Sequence, residues 1–295
     1  FLGASVAAAL TRGVNRGLYS NEAGQGSAPI AHATSKTENP IEEGMVSILE
    51  PFIDTIVVCT LTGLVILSSG VWNQKFENEF EASAMDYLKG SYSETSSEED
   101  LITLRNYYYD RNENIEFTGE LNVSEGVLTS EDVTLMHNRS FAEETTYKDR
   151  ETNQSFSGVI SVEEGKIINP GDFIIEGKSL LRSADLTGKA FTKSVFGDYG
   201  QYIVAFGLLL FAFSTVIAWS YYGDRATVHL FGEGWILYYR IVYVGAFFLA
   251  SVIDTKIIWD IATVIGPIAT IPNLIALILL RKEIKKIDKD YTIVK

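Results

Sequence analysis

The stretch Tyr199–Tyr221, YGQYIVAFGLLLFAFSTVIAWSY, runs for 23 residues without a charged side chain. A helix needs about 20 predominantly apolar residues to cross the hydrocarbon core of a bilayer. An uncharged run of this length also exceeds what the buried helices of soluble proteins use. The stretch therefore predicts a transmembrane helix and, with it, a membrane protein.

Three further runs are long and apolar enough to be spans, although each carries one or two charges: Val46–Ser69, Trp235–Ile253 and Ile257–Leu280. The shorter segment Phe1–Tyr19 is rich in small residues, and we interpret it as the tail of a fifth span. Pro267 and Pro272 lie inside the last run and predict kinks in its helix, with Asn273 bonding across helices. The fold class is therefore a mainly α, polytopic membrane protein.

The net charge of −14 is concentrated in one block of the chain, so the mean hydropathy of +0.11 averages two different regions. Residues 75–199 hold 12 Lys/Arg and 25 Asp/Glu, a net charge of −13. Apolar and polar residues alternate over 115–123 and 158–178, as they do in strands. The run 91–100, SYSETSSEED, is typical of a loop or a disordered segment. We predict a small β-rich acidic domain. Nucleic acid is excluded as a partner, because no basic stripe faces its phosphates.

Basic residues in the short flanking segments predict the orientation of the spans, since cytoplasmic loops carry an excess of Lys and Arg. The tail after Leu280 reads RKEIKKIDK, and Arg16 and Arg225 lie in or near flanks that alternate onto the same side. We assign that side to the cytoplasm. The chain then divides into a first membrane region (residues 1–74), an acidic extracellular insert (75–198), and a second membrane region with a cytoplasmic tail (199–295).

The cysteine and histidine residues predict neither a disulfide nor a metal site. Cys59 is the single cysteine, so an intrachain disulfide is excluded. The three histidines lie far apart in sequence, and no Cys/His cluster has the spacing of metal ligands. A zinc enzyme is therefore disfavoured. We expect no enzymatic activity, no cofactor and no metal other than a coupling ion.

Polar residues inside spans are costly and are therefore candidates for function. Thr215 and Trp219 are four residues apart and share a helical face, with Phe211 one turn earlier and Ser214 beside Thr215. Two hydroxyls in mid-membrane can supply neutral oxygen ligands to Na⁺. The alternative is that they hydrogen-bond to a backbone carbonyl of their own helix or to a neighbouring helix. The pattern alone leaves both interpretations open.

Two further features have a functional and a structural interpretation. Asp54 lies about nine residues into its span, roughly 13 Å deep. It can bind a cation, relay a proton, or pair with a basic group from another helix. The Asn21–Ser27 loop, NEAGQGS, is either a capped, tightly turned connection or a gate between two spans. A phosphate-binding loop is disfavoured, because nothing like a strand precedes it.

Four segments resemble the sodium:alanine/glycine symporter family, the alanine or glycine:cation symporters. They are Arg16–Pro29 (RGLYSNEAGQGSAP), Phe52–Thr60 (FIDTIVVCT), Phe211–Gly223 (FAFSTVIAWSYYG) and Ile271–Leu277 (IPNLIAL). Their order and spacing fit over residues 1–74 and 197–280. The family usually has a much shorter outer loop in place of 75–196.

The resemblance implies the second inverted repeat of a leucine-transporter-type fold, with substrate and ion at broken helices near the midplane. The chain is then the C-terminal half, from the end of core helix six to core helix ten. By the resemblance, Thr215, Trp219 and Phe211 line the amino-acid pocket, with Trp219 limiting the size of the substrate side chain. Phe1 and Gly3 belong to the same pocket, after the break of helix six. Ser214 and Thr215 face a sodium site.

The resemblance thus implies sodium-coupled symport of alanine or glycine by alternating access in a plasma membrane, such as a bacterial inner membrane. The expected partners are a small neutral amino acid, Na⁺ and the lipid bilayer. One alternative is a symporter that is driven by protons or has another substrate, with Asp54 as the proton acceptor. Another is a membrane-anchored protein whose insert binds a ligand outside the cell.

Overall fold

The computed structural model describes residues 2–22, 24–109, 114–129, 132–169, 172–253 and 255–294. The chain divides into two compact units. We call Phe1–Leu64 with Ala205–Lys295 the helical unit, and Val65–Val204 the β unit. The β unit takes in the ends of the helices that enter and leave it, so it is slightly longer than the insert predicted from charge.

The helical unit is built from long helices joined by short connections. Its helices are α1 (Leu2–Ser20), α2 (Ala28–His32), α3 (Pro40–Ser47), α4 (Leu49–Pro51), α5 (Cys59–Ser69), α8 (Gly200–Phe231), α9 (Ile236–Ala250) and α10 (Thr255–Val294). Asn39 begins α3 by accepting a hydrogen bond from the Ile41 amide on its side chain, with Pro40 in the first helical turn. Helix α10 continues through Pro267 and Pro272.

Within the described residues, three helical stretches are long and apolar enough to cross a membrane: Pro40–Ser69, Gly197–Phe231 and Ile261–Ile287. They coincide with three of the four predicted runs. The run Trp235–Ile253 is different, because its helix α9 has 15 residues and extends for only about 22 Å. Ser251–Ile253 are apolar enough to lengthen the run in sequence but lie in a turn after the helix ends. The helix is therefore shorter than the predicted run by one residue at its start and three at its end.

The span Pro40–Ser69 is not a regular α-helix. Residues Phe52–Val58 form a wider π-helical segment, in which the Cys59 amide donates to the Asp54 carbonyl five residues earlier. Pro51 comes immediately before this segment and cannot donate a backbone hydrogen bond. Short π-helical segments inside α-helices are frequent at functional sites. Asp54 therefore lies in the π-helical part of this span.

The β unit contains every strand of the described residues. They are β1 (Lys75–Phe80), β2 (Met85–Lys89), β3 (Gly119–Ser124), β4 (Val127–Leu128), β5 (Val133–His137), β6 (Ser140–Phe141), β7 (Glu143–Asp149), β8 (Gly158–Glu163), β9 (Lys166–Ile167) and β10 (Phe173–Leu180). Two helices accompany them, α6 (Glu98–Tyr109) and α7 (Ser183–Thr192). The strand predictions over 115–123 and 158–178 correspond to β3 and to β8 through β10.

Three antiparallel sheets make up this unit, in the strand orders β1-β10-β7, β2-β5-β6 and β4-β3-β8-β9. Strand β1 pairs along its whole length with β10, from Lys75 opposite Leu180 to Phe80 opposite Ile175. This pairing places the first residue of the unit's first strand beside the last residue of its last strand.

Alternation of side chains fills a water-free core between the sheets. In β3 and β8 every second residue is buried, which gives Leu121 and Val123 on one strand and Ile160 and Val162 on the other. Tyr87 and Tyr147 are fully buried, and their hydroxyls share one hydrogen bond of 3.0 Å in which either can be the donor. Burial raises the pKa of Tyr147 to about 12, so both phenols stay neutral.

The acidic run 91–100 is only partly a loop. Helix α6 begins at Glu98, so the last three residues of the acidic run, 98–100, are helical. Ser97 accepts a hydrogen bond from the Asp100 amide and donates one to the Asp100 carboxylate. Acidic side chains favour the first turn of a helix, where the dipole is positive. The prediction of disorder missed this serine as a helix cap.

Candidate functional site

The predicted substrate face lies on α8 and is regular in geometry. Because α8 runs unbroken from Gly200 to Phe231, the side chains of Phe211, Thr215 and Trp219 follow one another along a single face. That face is exposed, with Phe211 at 63% and Trp219 at 42% of full accessibility. The Trp219 ring meets Tyr222 edge-on at 5.9 Å. No other element in the described part of the chain covers this face.

The Ser214 hydroxyl donates to the Phe211 carbonyl at 3.0 Å. A contact of this kind, to a backbone carbonyl of the same helix, was the predicted alternative to ion binding. It uses the proton of the hydroxyl and leaves its oxygen lone pairs free to accept or to coordinate. The Thr215 hydroxyl makes no hydrogen bond to another described residue. The two neighbouring hydroxyls can therefore act as neutral oxygen ligands.

Two predicted pocket residues lie at the start of the chain. Phe1 is outside the described residues, and Gly3 lies in the first turn of α1. Their place in a pocket with Thr215 stays a prediction.

Asp54 is held by the end of α1. The Ser20 hydroxyl donates to the Asp54 carboxylate at 2.7 Å. Next to it, Asn21 and Thr55 exchange hydrogen bonds of 2.8 and 3.1 Å through their side chains. Among the described residues Asp54 forms no ion pair, so the structural interpretation as a salt-bridge partner finds no support there. The Asp54 carboxylate thus lies among neutral hydroxyl and amide groups.

The Asn21–Ser27 loop is packed against α10. The Asn273 side-chain amide donates to the Gly24 carbonyl at 2.9 Å. A Cβ atom on Gly26 would come within 2.8 Å of the Asn273 side-chain oxygen, and Gly26 also has a φ of 80°. Only glycine satisfies both conditions. The predicted contact of Asn273 across helices therefore reaches a loop backbone, and this loop is a tightly turned junction between α1, the π-helical segment and α10.

A histidine that sequence analysis set aside joins the helices after this loop. His32 Nδ1 lies 2.7 Å from Glu43, and its Nε2 lies 3.6 Å from Glu50. The Ser35 hydroxyl donates to the same Glu43 carboxylate at 2.7 Å. The hydrogen bond to Glu43 raises the pKa of His32, although partial burial opposes the shift. In the sequence, the signal for these contacts is the presence of Glu43 and Glu50, 11 and 18 positions after His32.

The comparison with known proteins decides the family. The sequence matches the model of the sodium:alanine symporter family over residues 1–96 and 160–295. The chain belongs to this family. The resemblance on which the site residues were assigned is thereby confirmed, and the family match extends further into the acidic block than residue 74 on one side and residue 197 on the other.

Several relatives carry transporter names. An uncharacterized transporter of Haemophilus influenzae is 28% identical over 290 residues, covering 98% of this chain and 41% of the relative. A sodium/alanine symporter of Methanococcus maripaludis is 28% identical over 281 residues, covering 94% and 39%. A probable sodium/glutamine symporter of Bacillus subtilis is 45% identical over 71 residues, covering 24% and 15%. The chain spans about two fifths of the length of the first two relatives. No solved structure matches it.

The family match omits residues 97–159, which include α6 and strands β3 to β7. These strands do not form a separate module. Strand β7 pairs with β10, β5 pairs with β2, and β3 pairs with β8. Each of the three sheets therefore combines strands from inside and outside the family match. Membership of a symporter family, together with three helices of spanning length, makes this a membrane protein of a transporter family.

Proposed function

We propose that this chain forms the C-terminal half of a sodium-coupled symporter of small neutral amino acids, such as alanine and glycine. In this proposal α1, Pro40–Ser69, α8, α9 and α10 are core helices six to ten of a leucine-transporter-type fold. The observation that carries it is the single face of α8 that holds Phe211, Thr215 and Trp219, with the Ser214 and Thr215 hydroxyls in the uncharged part of the span. Family membership supplies the class of activity.

The chemistry of that face fits a sodium-dependent amino-acid site. Ser214 and Thr215 offer neutral oxygens to Na⁺, whose charge then balances the carboxylate of a bound amino acid. Trp219, one turn from Thr215, limits the space for the substrate side chain, and Phe211 extends the apolar wall. Phe1 and Gly3 complete the pocket from the preceding core helix.

Transport follows by alternating access. Sodium bound to the α8 hydroxyls stabilises the outward-open arrangement, and the amino acid completes the site. One bundle of helices then rocks against the other and exposes the site to the cytoplasm. We place the β unit on the extracytoplasmic side of a plasma membrane, because the basic tail after Leu280 belongs inside.

The test is the variant Thr215→Ala in the symporter that contains this chain, measured as sodium-dependent alanine uptake. Loss of one ion ligand is expected to raise the half-saturating sodium concentration by about tenfold or more, the effect of about 1.4 kcal/mol. The matched control is Thr263→Ala, since the Thr263 hydroxyl donates only to the Trp259 carbonyl of its own helix. Equal sodium dependence in wild type and Thr215→Ala would refute the assignment of the site.

A second candidate, coupling to protons, is favoured by Asp54, a carboxylate that forms no ion pair in the described chain and lies in a π-helical segment. In that case Asp54→Asn abolishes uptake driven by a pH gradient in sodium-free buffer, while Thr215→Ala leaves it intact. The sodium proposal expects no such uptake in the wild type. The two variants together therefore separate the two coupling ions.

A further inference from the structure

Helix α9 contacts α8 through three side chains that form a narrow seam. Arg240 binds the Asp224 carboxylate with both ends of its guanidinium, at 2.6 Å for the shortest contact, and Asp224 is 4% exposed. One turn further along α9, the Tyr243 hydroxyl donates to the Val216 carbonyl at 2.9 Å. This carbonyl is the one directly after Thr215 in the chain.

Glycine lets the two helices approach at the centre of the seam. A Cβ atom on Gly223 would overlap the ring and hydroxyl of Tyr239, so α9 lies directly against the α8 backbone there. The seam therefore uses Val216, Gly223 and Asp224 on α8, and Tyr239, Arg240 and Tyr243 on α9. It combines a close backbone approach with a hydrogen bond and an ion pair whose carboxylate is buried, and these contacts together resist rotation of α8 about its own axis.

The position of the seam around α8 is informative. With 3.6 residues per turn, each residue advances about 100° around the helix. The seam residues then centre about 120° away from the line through Phe211, Thr215 and Trp219. Fixing one side of α8 thereby fixes the direction in which the substrate face points, and leaves that face uncovered.

We propose that the seam sets the rotation of α8, and that Tyr243 is a positioning residue for the Ser214–Thr215 site. This inference rests on the proposed function for its consequence, although not for its geometry. Removal of the Tyr243 hydroxyl takes away the interhelical hydrogen bond to the Val216 carbonyl and loosens α8 against α9. The oxygens of Ser214 and Thr215 then spend less time in the direction needed for ion binding, while neither side chain is changed.

The first measurement does not depend on transport. In the full symporter without other cysteines, Thr215→Cys is labelled with a small thiol reagent in backgrounds carrying wild-type Tyr243, Tyr243→Phe or Tyr238→Phe. Tyr238 is the matched control, because it lies on the same helix and is 61% exposed. We expect at least about a twofold change in labelling rate with Tyr243→Phe and none with Tyr238→Phe. Equal rates in all three backgrounds overturn the seam as a positioning device.

The second measurement links the seam to the site. In a chain that keeps Thr215, Tyr243→Phe is expected to raise the half-saturating sodium concentration by about two- to tenfold, the usual net worth of one hydrogen bond. The maximal rate at saturating sodium and alanine and the amount of protein in the membrane stay unchanged. A lower maximal rate with unaltered half-saturation overturns the positioning role. If labelling shifts but no variant, wild type included, shows sodium-driven uptake, the seam stands and the proposed function fails.

Discussion

The two units of the molecule differ in where their apolar side chains lie. Every buried apolar residue among those described lies between Val71 and Ala190, inside the β unit. In the described part of the helical unit, the two buried residues are polar, Ser27 and Asp224. The β unit therefore folds around a core that excludes water, whereas the helices turn their apolar side chains outward and keep polar contacts inside. This is the pattern of a protein with two different solvents.

The largest expected difference in stability between the two units comes from replacing a leucine in each of them. Leu121 is 1% exposed in β3, whereas Leu209 is 63% exposed on α8. Leu121→Ala is expected to destabilise the β unit by about 2–5 kcal/mol, because it removes buried methyl groups and leaves a cavity. Leu209→Ala is expected to change stability by less than about 0.5 kcal/mol. Denaturant unfolding of the protein in detergent, followed by amide hydrogen exchange in β3 and α8, measures both. Equal losses would contradict the distinction between the units.

The buried His137 is expected to give the next largest effect, a dependence of the stability of the β unit on pH. His137 is 5% exposed, donates or accepts at 2.8 Å with Ser179, and stacks on Phe80 at 4.3 Å. Burial, with a smaller effect of Arg182, lowers the pKa of His137 to about 4. The unfolded chain binds the proton first, at a pKa of about 6.5. Stability of the β unit is therefore fully present above pH 6.5 and is lost as the pH falls toward 4, by roughly 3 kcal/mol.

The measurement is the midpoint of unfolding of the β unit at pH 7 and at pH 4.5. His137→Gln serves as the control, since glutamine keeps hydrogen-bonding capacity but does not titrate. A pH dependence that is as steep in His137→Gln as in the wild type would assign the effect to other groups.

His32 provides the smallest effect, with the opposite sign. The Glu43 contact raises the pKa of His32, so the stabilisation is fully present below pH 6.5 and is lost as the pH rises through the higher folded value. Because the pair is partly exposed, it is worth less than about 1 kcal/mol. Hydrogen exchange of the amides of α2 and α3 is expected to be faster at pH 8 than at pH 6, after correction for the intrinsic pH dependence of exchange. In His32→Gln this difference disappears; its persistence would exclude His32 as the cause.

Much of the fold could be predicted from local sequence patterns. Uncharged runs predicted the spans because a bilayer imposes a length and a polarity that sequence displays directly. Alternation likewise predicted β3 and β8. Helix α9 was overestimated, since apolar composition does not reveal where a helix ends, and the cap by Ser97 was read as disorder. The charge pattern predicted the insert as one block. The pairing of its family-matched strands with its unmatched strands was not predictable, because only the tertiary fold decides it.

The candidate site, like the fold, could be predicted from the sequence only in part. The shared face of Phe211, Thr215 and Trp219 follows from helical spacing, so sequence was sufficient. The contact of Ser20 with Asp54 joins residues 34 positions apart, and that of Gly24 with Asn273 joins residues 249 apart. No periodicity encodes such pairs, because they depend on how separate helices pack. The same holds for the contact of Arg240 with Asp224.

Sodium coupling is the central claim, and one flux measurement tests it most directly. The symporter that contains this chain is reconstituted in proteoliposomes, and alanine uptake is followed under an inward sodium gradient at equal pH on both sides. The account predicts accumulation of alanine that ceases when sodium is replaced by potassium. Accumulation driven by a pH gradient without sodium, and unaffected by adding sodium, would contradict it.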